Sequence, residues 1–188
     1  MVNIAILSSG SGSSSKKLLE NIKNTKSNIC VIITNKSDAK VIDLAKEYKI
    51  SYIYLPKKKD VSNTNYDTQL STILQSYNIN VIFLIGYMRI ITNKIINNYK
   101  NNIFNIHPSL LPKYKGMMDL DIHQAVIENN DSYTGCTLHI VEEIVDEGKI
   151  VMQRGIKVNT IDKYELKKQI QIEENECIYE YVKSIENS

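Results

Sequence analysis

Residues 2–15 read VNIAILSSGSGSSS, a short apolar run that passes directly into a loop of glycine and serine. A continuous apolar run of this length is typical of a strand buried on both faces of a parallel sheet, and the glycines allow a tight turn. Apolar residues then recur at helical spacing over residues 15–24. The opening of the chain therefore predicts a strand–loop–helix unit.

The same alternation of strand and helix continues through the first half of the chain. Further apolar runs predict strands at residues 28–33, 51–55 and 81–85. One helix between them is predicted to begin after a cap at Ser37 or Asp38, and another covers residues 66–77. Because strand–helix–strand crossovers are right-handed, this order predicts a doubly wound, mostly parallel α/β sheet.

The second half of the chain is less regular and predicts an antiparallel extension of this sheet. Its strands are predicted at residues 103–106, 137–141 and 150–158, and its helices at residues 121–128 and 163–183. The last two strands flank a turn at residues 146–148, which suits an antiparallel return. No repeat or linker divides the sequence, so we expect one domain over residues 1–188.

Length and composition argue against several classes of protein. The 188 residues fit one domain, and 43% hydrophobic with 23% charged residues is ordinary for a globular protein. The 23 basic and 21 acidic residues give a net charge of +2, which offers little attraction to nucleic acid or to a membrane surface. The apolar run at residues 2–7 is too short for a signal peptide or a membrane span, so we expect a cytoplasmic protein.

The cysteines give no sign of a disulfide framework or a metal site. Cys30, Cys136 and Cys177 lie far apart, and none has a Cys or His partner at zinc-binding spacing. We therefore expect reduced thiols packed in the core and no bound metal.

The loop at residues 10–15 is the first candidate binding site. Its glycines allow a sharp turn, and the helix that follows presents unpaired N–H groups, an arrangement that suits a phosphate. A dinucleotide-binding fingerprint would need a third glycine at Ser15 and an acidic residue after the second strand, where residues 34–36 read TNK. No Gly-Lys-Ser/Thr follows either, which excludes a Walker loop. Two interpretations stay open from these residues alone: a phosphate-binding loop and an exposed turn of small residues.

Asn105 and His107 form the second candidate site. They alternate at the end of an apolar strand, so the period of two places both side chains on one face. Pro108 ends the strand, and ligands of open α/β sheets bind at the carboxyl ends of strands. Both side chains can donate hydrogen bonds to an oxygen that gains negative charge, which acyl or formyl transfer requires.

Five segments together carry a family resemblance. They are residues 3–13 (NIAILSSGSGS), 86–90 (GYMRI), 105–116 (NIHPSLLPKYKG), 135–139 (GCTLH) and 145–148 (VDEG). The chain resembles the superfamily of formyltransferases that use 10-formyltetrahydrofolate, and within it the family that formylates glycinamide ribonucleotide in purine biosynthesis. The run HPSLLP at residues 107–112 is the most specific of these motifs.

The resemblance implies a catalytic trio of Asn105, His107 and Asp146. Asn105 and His107 would hold the formyl oxygen as a tetrahedral intermediate forms, while Asp146 would pair with His107, raise its pKa and organise a water that helps to move protons. The substrate amine would attack the formyl carbon directly, with no covalent enzyme intermediate and no metal. Thr137 and His139 would support this site. Without the resemblance, Asp146 would be interpreted as a turn residue.

The resemblance also implies where the two substrates bind. The phosphate of glycinamide ribonucleotide would lie on Gly12, Ser13 and Ser14. The reduced folate would contact the segment Met88, Arg89, Ile90 and Ile91, together with Asn105. Residues 1–86 would then be the phosphate-binding half and residues 87–188 the folate-binding and catalytic half. For Ile90 and Ile91, packing in the core is an alternative interpretation.

Three positions depart from the pattern of the family. Ser14 stands where relatives commonly have Asn, and Asn63 stands where some have an arginine that contacts folate. An acidic substrate contact in the last helix falls on Asn175, between Glu174 and Glu176, and a slip of one residue would restore it. These changes would alter substrate contacts and leave the trio intact.

Other functions are compatible with parts of the pattern. Methionyl-tRNA formyltransferase and formyltetrahydrofolate hydrolase share its chemistry, but they usually carry a further domain, which we do not expect here. A folate- or nucleotide-binding module without activity is the alternative from another class. We expect small-molecule substrates, no nucleic-acid or membrane partner, and a monomer or homodimer. His123 is expected to be structural, and the sequence leaves open whether residues 113–121 close over the substrate.

Overall fold

The apolar runs form the strands of one sheet in the computed structural model, which describes residues 1–186. The strands are β1 (Val2–Leu7), β2 (Ser27–Thr34), β3 (Tyr52–Tyr54), β4 (Val81–Leu84), β5 (Ile103–His107), β6 (Tyr133–Ile140) and β7 (Ile150–Lys157). In this part of the chain they make a seven-stranded sheet in the order β3-β2-β1-β4-β5-β6-β7.

The strand directions agree with the predicted fold class. The strands β1 to β5 pair in parallel, whereas β6 is antiparallel to β5 and β7 is antiparallel to β6. The prediction of a doubly wound, mostly parallel sheet with an antiparallel extension is therefore confirmed. β6 begins earlier than predicted, at Tyr133, because the small and polar residues Thr134 and Gly135 give no apolar signal.

The helices are α1 (Lys16–Asn21), α2 (Val41–Glu47), α3 (Asn63–Ser76), α4 (Asn93–Asn98), α5 (Leu120–Glu128) and α6 (Lys163–Ile185). α1 is shorter than the predicted helix because 3-10 turns at Ser13–Ser15 and Ile22–Asn24 flank it. α4 is absent from the sequence prediction, since a six-residue helix with only two apolar side chains gives little periodicity. None of the helices in residues 1–186 combines the length and hydrophobicity needed to cross a bilayer.

The predicted cap of α2 is wrong. Ser37 and Asp38 lie in a turn that the N–H of Ala39 closes on the carbonyl oxygen of Lys36, at 3.4 Å. The helix begins at Val41, whose N–H donates to the carbonyl oxygen of Gly10 at 3.0 Å. The start of α2 is therefore set by the loop after β1 and not by a neighbouring side chain.

Two separate apolar layers cover the faces of the sheet. Alternate residues of β1 point to opposite sides, so Ile4 and Ile6 join the core with α1, α5 and α6, while Ala5 and Leu7 join the core with α3 and α4. A strand buried on both faces has apolar residues at every position, which explains the continuous run in the sequence. All three cysteines are free thiols, buried at Cys136 and Cys177 and half-buried at Cys30.

The close approach of β6 and β7 makes a stability prediction. Gly135 faces Gly155 across the two strands, and a Cβ at Gly135 would lie 2.0 Å from the carbonyl oxygen of Arg154. Because backbone must shift to relieve this clash, we expect Gly135→Ala to lower the free energy of unfolding by about 2–3 kcal/mol in a urea titration. Gly155→Ala is the matched control, since its Cβ would be 3.6 Å from the nearest atom. Equal losses in the two variants would contradict the prediction.

Candidate active site

A cleft of about 840 Å³ opens at the carboxyl ends of β1, β4 and β5. Its walls come from the loop after β1, the loop after β4, the end of β5, the loops before α5 and β7, and one face of α6. This is where ligands of parallel α/β sheets bind. The predicted site residues that line it are Gly12, Ser13, Ser14, Met88, Arg89, Ile90, Ile91, Asn105, His107, His139 and Asp146.

His107 ends β5, and both of its ring nitrogens have a partner. Nδ1 lies 3.4 Å from Oδ2 of Asp146, and Nε2 lies 3.2 Å from the carbonyl oxygen of Tyr114. Because a carbonyl oxygen can only accept, Nε2 carries a proton in this arrangement. The imidazole is thus held between a carboxylate and the loop that follows β5.

Asp146 enters the site from the loop between β6 and β7, where it adopts a left-handed conformation with φ 58°. Its Oδ1 lies 3.5 Å from Nε2 of His139, and its Oδ2 accepts a hydrogen bond of 3.0 Å from the N–H of Gly116. The carboxylate therefore connects β5, β6 and the loop after β5.

Burial and charge act in opposite directions on the pKa values of this pair. Burial lowers the pKa of His107. The charge of Asp146 raises this pKa, in the direction that the sequence predicts, but its effect is smaller than that of burial. The pKa of His107 therefore lies below its ordinary value. Burial raises the pKa of Asp146, but hydrogen bonds from His139 and Gly116 and the histidine charges outweigh that effect and lower it. Asp146 is therefore ionised at neutral pH.

Asn105 lines the cleft on the same face as His107, as the alternation predicts. Its Nδ2 lies 3.1 Å from Nε2 of His139, whose Nδ1 lies 2.9 Å from the carbonyl oxygen of Ile140. Nε2 of His139 contacts both the amide of Asn105 and the carboxylate of Asp146. His139 therefore orients that amide, which has a second N–H to offer a ligand.

Thr137 does not line the cleft but supports the loop that follows His107. Its hydroxyl donates to the carbonyl oxygen of Ser109 at 2.6 Å. Oγ1 of Thr137 also accepts from the N–H of Leu111 at 3.0 Å and from the amide of Gln153 at 2.9 Å. Thr137 therefore fixes the backbone around the HPSLLP motif.

Gly12 determines the shape of the loop after β1. It has φ 65°, and a Cβ there would lie 2.5 Å from Cγ2 of Val41, so both conformation and space require glycine. Its carbonyl oxygen accepts from the N–H and the hydroxyl of Ser15 at 2.9 and 2.6 Å. This turn places Ser13 and Ser14 in the wall of the cleft.

The acidic residue of α6 that lines this end of the cleft is Glu174, which agrees with the slip of one residue from Asn175 that the sequence left open. The hydroxyl of Ser14 donates to the buried carboxylate of Glu174. Asn175 instead donates to the carbonyl oxygen of Ser13 and accepts from the N–H of Lys17, both at 2.9 Å. Burial raises the pKa of Glu174 to about 7, against an opposing contribution from the hydrogen bond of Ser14.

The segment after β4 presents part of its surface at the mouth of the cleft. Met88 and Ile90 are 50% and 69% exposed, whereas Ile91 is buried in the core beside α3. The guanidinium of Arg89 lies 4.1 Å from the ring centre of Tyr66 and donates to Oδ1 of Asn63 at 3.2 Å. The position where some relatives have arginine therefore holds a partner of Arg89.

Several cleft residues fall outside the predicted site. These residues come from separate segments that tertiary packing brings together, so no local sequence motif indicates that they line the cleft. They are Lys36, Asp119, His123 and Lys167. His123 is buried, and its Nδ1 has no hydrogen-bond partner among residues 1–186. The same residues contain no cluster of His, Cys, Asp or Glu that could hold a metal ion.

Comparison with known proteins extends the geometric description. The family model described as formyl transferase matches residues 2–182. Phosphoribosylglycinamide formyltransferase of Haemophilus influenzae is 36% identical over 167 residues, which cover 88% of this chain and 77% of that protein. The trifunctional purine biosynthetic protein adenosine-3 of Homo sapiens is 31% identical over 161 residues, or 85% of this chain, and the match spans 16% of that protein's length.

The architecture agrees with the sequence match. The crystal structure of glycinamide ribonucleotide transformylase 1 from Symbiobacterium toebii superposes with a TM-score of 0.93 at 28% identity, and the match covers 100% of this chain and 88% of that one. The family match over residues 2–182 and this structural likeness both cover almost the whole chain. The chain belongs to the formyl transferase family.

Proposed function

We propose that the chain transfers a formyl group from 10-formyltetrahydrofolate to the amine of glycinamide ribonucleotide. The observation that carries this proposal is the convergence of Asn105, His107 and Asp146 at the end of β5, inside a cleft of about 840 Å³. The names of two relatives, phosphoribosylglycinamide formyltransferase and glycinamide ribonucleotide transformylase, support glycinamide ribonucleotide as the acceptor.

In the proposed reaction, the substrate amine attacks the formyl carbon and a tetrahedral intermediate forms. The amide of Asn105 donates to the oxygen as it gains negative charge, and the Nε2–H of His107 donates to the same oxygen in place of the carbonyl oxygen of Tyr114. The carboxylate of Asp146 stabilises the protonated form of His107 at that stage. The bond from the formyl carbon to N10 of the folate then breaks, and the proton lost by the amine ends on N10.

The proposed substrate positions follow the two ends of the cleft. The phosphate would contact the backbone of Gly12, Ser13 and Ser14, and Glu174 would accept from sugar hydroxyls beside it. The folate would contact the segment from Met88 to Ile91, with Arg89 at its far end. We propose that residues 1–86 form a phosphate-binding half and residues 87–188 a folate-binding and catalytic half. Glu174 belongs to the second half but contacts Ser14 of the first. A cytoplasmic location and a monomeric or homodimeric state also stay predictions.

The test is an absorbance assay for tetrahydrofolate, with each substrate omitted in turn. Product that requires glycinamide ribonucleotide supports the transferase, and product formed without it supports a hydrolase.

His107→Ala should lower kcat by a factor of about 10²–10³, since it removes one donor to the oxyanion. Near-normal turnover in this variant would contradict the proposed role of His107, and no turnover in the wild type would favour a binding module.

Asp146→Asn should move the pH dependence of kcat as well as lower kcat. The charge of Asp146 raises the pKa of His107, so its removal lowers that pKa further, and the limb of the pH profile governed by His107 moves to lower pH. Glu147→Gln is the matched control. This substitution removes the same charge one residue away, from a carboxylate that pairs with Lys115. Equal shifts of the pH profile in both variants would contradict the proposed effect of Asp146 on the pKa of His107.

Glu174→Gln should change how stability depends on pH. The unfolded carboxyl has a pKa of 4.5 and the folded one about 7, so the folded state binds the extra proton between these values. The stabilisation from this proton is full below pH 4.5 and is lost as the pH rises to 7. Relative to wild type, the variant should therefore gain about 1–3 kcal/mol between pH 4.5 and pH 8 in urea titrations. A difference that stays constant with pH, as expected for the exposed control Glu128→Gln, would contradict this.

A further inference from the structure

The cleft-facing side of α6 carries one cation and one anion. Lys167, Gln171 and Glu174 follow each other at helical spacing and all line the cleft. Glu174 contacts Ser14 of the phosphate-binding loop, so the ammonium of Lys167 lies on the same wall as that loop.

The present partner of Lys167 is a carboxylate that also lines the cleft. The ammonium pairs with Oδ1 of Asp119, which lies in the loop before α5 with φ 49°. The side chains of Lys167 and Asp119 are 31% and 57% exposed. An ion pair this open to solvent is weak, so a doubly charged phosphate in the cleft can replace Asp119 as the partner of Lys167.

The electrostatic surroundings favour such an exchange. Burial raises the pKa of Glu174 and Lys167 lowers it, so the ammonium is close enough to act on the carboxyl beside the loop. Burial, helped by Lys167, lowers the pKa of the neighbouring His123 to about 4, so His123 is neutral at pH 7 and supplies no competing positive charge. A phosphate next to Glu174 needs a cation to offset the repulsion between them.

The other cations that line the cleft in residues 1–186 are less suited to this role. Arg89 is held by Asn63 and Tyr66 at the folate end. Lys36 follows β2, and the charges that shift the pKa of Glu174 are those of Lys167 and Asp119 and not that of Lys36. Lys167 is the cation whose charge reaches Glu174.

We propose that Lys167 is a substrate-binding residue that leaves Asp119 and pairs with the phosphate of the nucleotide substrate, with Asp119 holding the ammonium in place until the substrate binds. This inference rests on the proposed function, because it assigns the phosphate to glycinamide ribonucleotide.

The test compares the affinity of four proteins, the wild type and three variants, for glycinamide ribonucleotide by calorimetry. Lys167→Met should raise Kd at least about tenfold, as expected for the loss of a charged hydrogen bond. Asp119→Asn breaks the same ion pair but keeps the ammonium, so its Kd should stay near the wild-type value or fall. Lys168→Met removes the same charge from an exposed position one residue away and should have little effect.

Three outcomes would overturn the inference. Equal losses of affinity in Lys167→Met and Asp119→Asn would mean that the ion pair only supports the loop before α5. An equal loss in Lys168→Met would mean that net charge alone is responsible. An equal loss for the dephosphorylated substrate would mean that Lys167 contacts another part of the ligand. Wild-type protein that does not bind glycinamide ribonucleotide at all would instead overturn the proposed function, and the inference with it.

Discussion

The antiparallel pairing of β6 with β5 is the constraint on which the catalytic end of the cleft depends. Its register places His139 opposite Asn105, and the neighbouring pair places Thr137 opposite His107. One strand thus supplies two side chains that face the cleft, and the other supplies side chains that orient them or their loop. The return from β6 to β7 then brings Asp146 to the end of both strands. A slip of one residue would turn the alternating side chains to the other face, so the whole site depends on one register.

The two buried carboxyl groups of the cleft have pKa values shifted in opposite directions. At the catalytic end, Asp146 keeps its charge although it is buried, because it accepts a backbone N–H and faces two imidazoles. At the phosphate end, the buried carboxyl of Glu174 accepts from one neutral hydroxyl, and its pKa is raised to about 7. A buried carboxylate stays ionised only where donors and positive charge replace water. The partners of each carboxyl, rather than burial alone, therefore separate the two groups.

Sequence reasoning succeeded where the site depends on local periodicity. The alternation of Asn105 and His107 at the end of an apolar strand needs only the period of β5 and the rule for ligand binding at strand ends. The choice between Glu174 and Asn175 needs the rotation of α6 against the sheet, which no local pattern contains. The start of α2 needs a carbonyl group from the loop after β1, and the lowered pKa of His107 needs its depth of burial. These features depend on contacts between segments that lie far apart in the sequence.

The departures from the family pattern lie at positions where a neighbour takes over part of the lost contact. The hydroxyl of Ser14 donates to Glu174, so in the proposed function the backbone N–H of Ser14 is the group that would contact the phosphate. Asn63 lacks the charge of an arginine, but it accepts from Arg89, which the ring of Tyr66 also holds. Ser14 and Asn63 lie in the first turns of helical segments, away from the strands that carry the proposed catalytic groups. A side chain can change there without moving the register of β5 and β6, and this separation allows substrate contacts to differ while the geometry of the reacting groups is kept.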